Sequence, residues 1–458
     1  MNEKNSKLKF YGGAGAVTGA NFMLKTDEKK ILIDCGMVQG SEEEEEKNWA
    51  DFEYDPKDVD VVFITHAHAD HIGRIPKLVR DGFKGVIYST DATRELASVM
   101  FEDSLSIARF EEKKTGREHY YDHRDVDRAL DLWKTIDYHS ETEIGGGFSV
   151  YFRDAGHILG SAIIEITRNG RKIAFTGDLG NSPTPLLRPT EFVTDANYLL
   201  MESVYGDRDH ENVAERTEKL KAMILDTHDR GGALVMPTFS IERTQVMLYE
   251  LNELIESGEV PTMPVFLDSP LAIEVTEIYK KYQQYFNKDI KRDIREGDNI
   301  FNFPGFQLSN TREDSRRINN EPNPKIVMAG SGMSEGGRIL YHYQQYISDP
   351  SSTILLVGYQ PVGGLGHALL NGEKEITLFG EKIQVNAKIE SILSYSAHMQ
   401  SSDLQEFAER AAEKGDLERV FVAMGEPKSS LFLVQRLRDH FGIDAVAPEE
   451  GEEIEIDF

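Results

Sequence analysis

Short β-type apolar runs alternate with amphipathic helical stretches through the first third of the chain. The strand-like runs fall at residues 8–10, 31–33, 59–64, 85–88, 149–152, 162–167 and 173–176. Helical spacing follows at 71–80, 91–114 and 123–136. This alternation predicts sheets covered by helices. Around residue 206 the rhythm changes to strand-then-helix units: 233–237 into 242–256, 265–268 into 271–284, and 325–329 into 337–347. A further apolar run at 353–357 reads as a buried strand, so a small parallel sheet is expected here. After about residue 388 short strands return, with one helix at 402–412. The order is that of an α/β domain inserted into a split first domain.

Composition narrows the reading. The 458 residues are 40% hydrophobic and 28% charged, which suits a folded, soluble chain of two or three domains. No apolar run approaches the ~20 residues of a membrane span, so no membrane partner is expected. The first seven residues carry charges without an apolar segment behind them, so no secretory signal is expected. The single cysteine, Cys35, cannot form an internal disulfide and fits a reducing, cytoplasmic setting. With 51 basic and 79 acidic residues the net charge is −28. Such a chain does not cling broadly to a phosphate backbone; any attraction to nucleic acid must be local. The acidic run 42–46 reads as a solvated face.

The densest chemistry lies in Ile64-Thr65-His66-Ala67-His68-Ala69-Asp70-His71-Ile72-Gly73. Three histidines and a carboxylate follow a predicted strand and precede a predicted helix. Imidazole with carboxylate is the ligand set of zinc or a similar ion. His66 and His68 share a direction because extended side chains repeat every two residues. Asp70 and His71 lie past the bend and can face a second position nearby.

The pattern resembles the HxHxDH signature of the metallo-β-lactamase fold, and further landmarks follow in order. Asp34, in Leu32-Ile33-Asp34-Cys35-Gly36, matches the family's carboxylate behind the ligands. His157, in Ala155-Gly156-His157-Ile158-Leu159-Gly160-Ser161, and Asp178, in Phe175-Thr176-Gly177-Asp178, match later motifs. The resemblance implies one zinc on His66, His68 and His157, another on Asp70 and His71, and Asp178 between them. Glu202, in Leu200-Met201-Glu202-Ser203, and His398, in Ser394-Tyr395-Ser396-Ala397-His398, resemble motifs A and B of the β-CASP nucleases. The likeness runs from Leu8 to about Arg438. It implies a four-layer αββα lactamase-type domain, split as 1–206 and 389–458, around an α/β β-CASP domain at 207–388.

The glycine-rich Gly330-Ser331-Gly332-Met333-Ser334-Glu335-Gly336-Gly337-Arg338 follows a strand and opens a helix, so its N–H groups suit a phosphate. Ser331, Gly332 and Gly336, with Arg243 and Arg338, are the candidate phosphate contacts. One departure stands out. Where the family's RNA-cleaving members carry a motif C histidine, this chain reads Val422-Ala423-Met424-Gly425-Glu426. A thioether suits copper(I) far better than zinc, so Met424 is expected to pack in the core and leave the second zinc weakly held. Manganese is a second candidate ion.

The resemblance implies a metal-dependent phosphodiesterase that cuts single-stranded RNA with a metal-activated hydroxide. Asp70 would orient the nucleophile, His398 would act as general acid, and Glu202 would hold its imidazole. The strand would enter between the two domains, and a homodimer is compatible with the family. Within the family the alternative is a DNA-processing nuclease acting on single-stranded DNA; the rivals of other classes are a silent nuclease-like subunit or scaffold and a small-molecule hydrolase. A small-molecule hydrolase of the lactamase fold lacks the inserted domain and the Glu202–His398 pair.

Overall fold

The computed structural model describes residues 6–210, 215–358, 360–361 and 363–458. Residues 1–5, on which part of the expectation about a secretory signal rests, lie outside the described residues. Two units are formed, one from Met1–Asp209 with His398–Phe458 and one from His210–Ala397.

In the first unit the chain lays down β1 (Ser6–Gly12), β2 (Asn21–Lys25), β3 (Lys30–Ile33), β4 (Val61–Phe63), β5 (Val86–Ser89) and β6 (Trp133–Thr135). It continues through β7 (Thr142–Gly145), β8 (Phe148–Asp154), β9 (Ala162–Arg168), β10 (Arg171–Phe175) and β11 (Tyr198–Met201). The second unit contributes β12 (Ala233–Pro237), β13 (Val265–Asp268), β14 (Phe306–Leu308), β15 (Lys325–Ala329) and β16 (Thr353–Val357). A hairpin of β17 (Glu375–Leu378) and β18 (Glu381–Gln384) precedes β19 (Lys388–Ile392). The first unit is then completed by β20 (Arg419–Val422), β21 (Ala445–Val446) and β22 (Glu453–Ile456).

The first unit holds two seven-stranded mixed sheets, ordered β22-β1-β2-β3-β4-β5-β6 and β21-β20-β11-β10-β9-β8-β7. Pairing is antiparallel from β22 to β3 and parallel from β3 to β6. In the other sheet it is parallel from β21 to β10 and antiparallel from β10 to β7. Alternating apolar residues of both sheets meet in one core: Phe10, Phe22, Ile33 and Phe63 from the first, Phe152, Ile164, Phe175 and Phe421 from the second. Each such fully buried side chain contributes roughly 1.5–3 kcal/mol over its exposed state. The outer face of the second sheet is covered by helices Ser401–Ala411 and Pro427–Phe441, through Leu404, Phe407, Leu433 and Leu437. The α/β sandwich expected from the sequence is present.

The second unit is built on a six-stranded, all-parallel sheet ordered β14-β13-β15-β12-β16-β19. Its four inner strands, β12, β13, β15 and β16, are buried along their whole length, as parallel strands between helices must be, whereas the edge strands β14 and β19 are partly exposed. Helices Arg243–Glu256, Pro270–Lys281 and Ile339–Tyr346 follow β12, β13 and β15 as expected.

Three local expectations are corrected. The single helix at 71–80 is two short ones, Ala69–Ile72 and Ile75–Arg80, because the chain turns at Gly73-Arg74 before Pro76 restarts it. A Cβ at Gly73 would meet the Ala69 carbonyl oxygen at 2.6 Å, so the turn needs glycine. The helix expected over 123–136 ends at Asp131, and Trp133–Thr135 pairs with β5 instead. The helix Pro427–Phe441 was not anticipated. The acidic run forms the exposed helix Glu42–Glu45, capped by Ser41.

Candidate metal centre and its acid pair

The chemistry-bearing residues sit where strands of the first unit end. Asp34 follows β3, Thr65 to His68 follow β4, Asp178 follows β10 and Glu202 follows β11. Strands β8 and β10 are both antiparallel to β9, so His157, after β8, comes off the same edge as Asp178. Parallel strands expose their last amides and carbonyls at this edge, which is where α/β folds place ligands.

Four ligand atoms converge. Nε2 of His66 lies 3.1 Å from Nδ1 of His68, which lies 3.2 Å from Nε2 of His157. Oδ2 of Asp178 is 3.4 Å from both Nε2 atoms. Ligands at ~2.0–2.1 Å around a tetrahedral zinc stand ~3.3 Å apart, so the four atoms are spaced as a zinc site requires. Burial lowers the pKa of His66, an effect increased by His71, and pushes His68 and His157 well below the imidazole range. Burial thus favours the neutral imidazole, the form that can bind a metal ion.

A second position adjoins the first. Nε2 of His71 is buried without a hydrogen bond, 3.4 Å from Oδ1 of Asp178 and 3.9 Å from Oδ2 of Asp70. An orphaned buried nitrogen facing two carboxylates fits a second cation. Asp178 therefore presents one oxygen to each position. Burial opposes its charge, yet His71, His66 and His398 hold its pKa well below the carboxylate range. Burial raises Asp70.

Asp34 stands behind both positions. It is fully buried at φ 58°, and its Oδ1 accepts the Thr65 amide at 2.8 Å. Its Oδ2 accepts Nδ1–H of His71 at 2.7 Å and the Thr65 hydroxyl at 2.8 Å. The His157 loop is fixed in a comparable way. The Ser161 hydroxyl oxygen accepts the His157 amide at 3.0 Å, and Thr90 and Thr93 both donate to the Gly160 carbonyl.

On the far side of Asp178 stand Glu202 and His398. Nδ1 of His398 is 3.4 Å from the Glu202 carboxylate and 3.8 Å from Oδ2 of Asp178. Burial works against the imidazolium, but Glu202 and Asp178 raise the His398 pKa to about 9. The backbone of His398 bridges Gly180, and Met399 donates to the Leu179 carbonyl at 2.8 Å. Asp178, Glu202 and His398 form a second convergent group around the shared carboxylate.

Met424 follows β20 at φ 48°, with its amide donating to the Gly13 carbonyl at 2.6 Å. Its side chain is 1% exposed and belongs to the apolar core between the sheets. The remaining candidates lie in the second unit. Arg338 donates to Asp268 at 2.6 Å and to the carbonyls of Ser309 and Asn310 at 2.9 Å. Asp268 is fully buried and also holds His342 and Ser315. Arg243 stacks over Phe239 and reaches the Val357 carbonyl at 3.4 Å. The Ser331 amide donates to the Gly336 carbonyl, and Gly332 accepts from Gln360. Sequence reasoning did not single out Thr65, Thr90 or Thr93, whose only signal was a hydroxyl beside a ligand or at a helix start.

Two mixed sheets packed face to face, with histidine and carboxylate ligands at their strand ends, define a metallo-hydrolase of the metallo-β-lactamase fold. The Metallo-beta-lactamase superfamily matches residues 14–227, the Beta-Casp domain 244–369 and the Zn-dependent metallo-hydrolase RNA specificity domain 382–448. Ribonuclease TTHA0252 of Thermus thermophilus is 35% identical, over 92% of this chain and 94% of its own. An RNase J-like protein of Methanocaldococcus jannaschii is 30% identical over 97% and 98%. Transcription termination factor FttA of Methanosarcina mazei is 31% identical over 95% of this chain and 69% of its own. A crystal structure of an Enterococcus faecalis protein of unknown function shares the fold at a TM-score of 0.60 and 13% identity, covering 99% of this chain and 100% of that one. The chain belongs to the β-CASP nucleases of the metallo-β-lactamase superfamily.

Proposed function

We propose that this protein is a metal-dependent ribonuclease that hydrolyses phosphodiester bonds of single-stranded RNA. The observation that carries the reading is the double use of Asp178, which adjoins the metal ligands on one side and the Glu202–His398 pair on the other. The names of its relatives, two of them ribonucleases, support RNA as the substrate. The match to an RNA specificity domain points the same way.

His66, His68, His157 and Asp178 would hold the first ion, and His71, Asp70 and Asp178 the second; the nitrogen-rich donor set favours zinc, with manganese an alternative. Zinc bound there supplies Lewis-acid stabilisation of phosphate charge and acidifies water towards neutral pH. Asp70 orients the attacking water and accepts its proton. His398, held cationic by Glu202 and Asp178, donates a proton to the leaving oxygen. Glu202 is in turn fixed by the Leu179 amide at 2.6 Å.

The buried Met424 leaves the second ion on three protein ligands, so it is the weaker of the two. In the second unit, Ser331, Gly332, Gly336 and Arg243 remain the candidate phosphate contacts, whereas Arg338 braces Asp268. A single buried cysteine fits a cytoplasmic protein. Among the described residues no helix is long and apolar enough to cross a membrane.

The test pairs metal analysis of the purified protein with cleavage of end-labelled RNA and single-stranded DNA. Metal-dependent cutting of RNA over DNA is the expected result. Preference for DNA would move the protein to the DNA-processing branch. No cleavage of either, with metal bound, would make it a silent relative.

A further inference from the structure

The first metal position needs His66 turned so that Nε2 carries a lone pair towards the ion, which requires the proton on Nδ1. An imidazole does not choose that state alone, since an acceptor at Nδ1 must select it. In this protein the atom facing Nδ1 of His66 is the Thr65 hydroxyl oxygen, at 3.1 Å. A threonine hydroxyl has one proton to give and lone pairs to receive. Its proton goes to Oδ2 of Asp34 at 2.8 Å, which leaves the oxygen to accept Nδ1–H of His66. His71 does not depend on that relay: its own Nδ1 reaches the same Asp34 oxygen directly at 2.7 Å, and lies farther, at 3.3 Å, from the Thr65 hydroxyl.

The hydroxyl is held in place from every side. The Thr65 amide donates to Oδ1 of Asp34 at 2.8 Å, and its carbonyl accepts Ala162 N–H at 2.8 Å. Thr65 is 1% exposed. Gly177, at φ +54°, lies against it so closely that a Cβ there would stand 2.5 Å from Thr65 Cβ and 2.7 Å from its hydroxyl oxygen. Gly177 adjoins Asp178, so Thr65 packs directly against the turn that carries that carboxylate.

We propose that Thr65 is a positioning residue: through one hydroxyl it transmits the orientation of Asp34 to His66, so a single carboxylate sets one ligand of each metal position. The inference rests on the metal centre described above. Its consequence is a hierarchy. Loss of the Thr65 hydroxyl weakens chiefly the first position, because His71 keeps its direct bond to Asp34, whereas loss of the Asp34 charge weakens both.

The test is titration of the metal-stripped full chain with cobalt(II) and zinc, reading stoichiometry, affinity and the cobalt d–d spectrum. Wild type, Thr65→Val, Thr65→Ser and His66→Ala are compared, with circular dichroism as the check on folding. Replacing an outer partner of a ligand typically costs about 10–100-fold in metal affinity. Thr65→Val should show that loss for the tighter ion, and Thr65→Ser should restore wild-type affinity. In ¹⁵N–¹H imidazole spectra of the zinc-loaded protein, the His66 Nδ1–H signal should lose its protection in Thr65→Val and regain it in Thr65→Ser. Should Thr65→Val fail to fold, Thr65→Ala against Thr65→Ser carries the same comparison. Wild-type affinity in Thr65→Val, with loss in His66→Ala, overturns the role of Thr65 and leaves the metal centre standing. Absence of tight metal in the wild type overturns the metal reading itself.

Discussion

The Glu202 carboxylate accepts the Leu179 amide at 2.6 Å while lying 3.4 Å from Nδ1 of His398. Leu179 follows Asp178, so one backbone step connects the carboxylate beside His66, His71 and His157 to the carboxylate beside His398. Met399 closes the arrangement by donating to the Leu179 carbonyl at 2.8 Å. His398 is thereby aligned with Asp178 by the backbone bridge to Gly180 and the Met399–Leu179 bond as well as by the Glu202 side chain.

His398→Ala should for that reason leave metal content unchanged and lower RNA cleavage by ~10²-fold or more, the usual scale for losing a general acid. Glu202→Gln should reduce cleavage less, because the amide still accepts from Leu179 but no longer sustains the imidazolium. Metal analysis and single-turnover cleavage on the same preparations check both. Full activity in His398→Ala would remove it from the mechanism.

Removing a ligand should behave differently. His66→Ala or His157→Ala each takes one of four atoms that all lie within 4.8 Å of one another, so metal and activity should fall together. Plasma emission analysis of the dialysed variants is the measurement. Wild-type occupancy in both would mean the ion sits elsewhere.

How much of this was legible in the sequence depends on how local each cause is. Four of the six ligand candidates stand in one dense motif after a strand, the resemblance supplies His157 and Asp178, and folding brings the other five together about Asp178. Helical spacing over 123–136 predicts a helix through Trp133–Thr135, where pairing with β5 overrides the local pattern. Arg338 stands beside glycines as a candidate phosphate contact; that it also pairs with Asp268 is not legible, since Asp268 lies 70 positions earlier and only folding brings them together. Thr65 gave no signal, since a threonine at the end of an apolar run is an ordinary strand residue.

That ion pair yields a prediction separating the two roles for Arg338. Arg338→Ala leaves Asp268 fully buried with His342 and Ser315 as its remaining partners. Removing one side of a buried pair costs about 3–5 kcal/mol, and the surviving partners place this case near the lower end. Urea unfolding should show that loss, with RNA affinity of the folded protein little changed. A large loss of RNA affinity without loss of stability would restore Arg338 as a phosphate contact.

Met424 carries the sharpest prediction about the metals. Its side chain lies in the core between the sheets, and its amide is held by Gly13, so the sulfur supplies nothing to the second position. Asp70, His71 and the shared Asp178 remain, with Asp70 already 3.9 Å from Nε2 of His71. The purified protein should therefore hold one ion tightly and a second weakly, and added zinc or manganese should stimulate cleavage by mass action. Met424→His should tighten the second ion and reduce that stimulation, because imidazole offers zinc a nitrogen where a thioether binds poorly. The substitution also places a polar ring in an apolar site, so its melting temperature should drop without metal and recover with it. Calorimetric zinc titrations of both proteins decide the matter: two equally tight ions in the wild type would show that another group completes the second position.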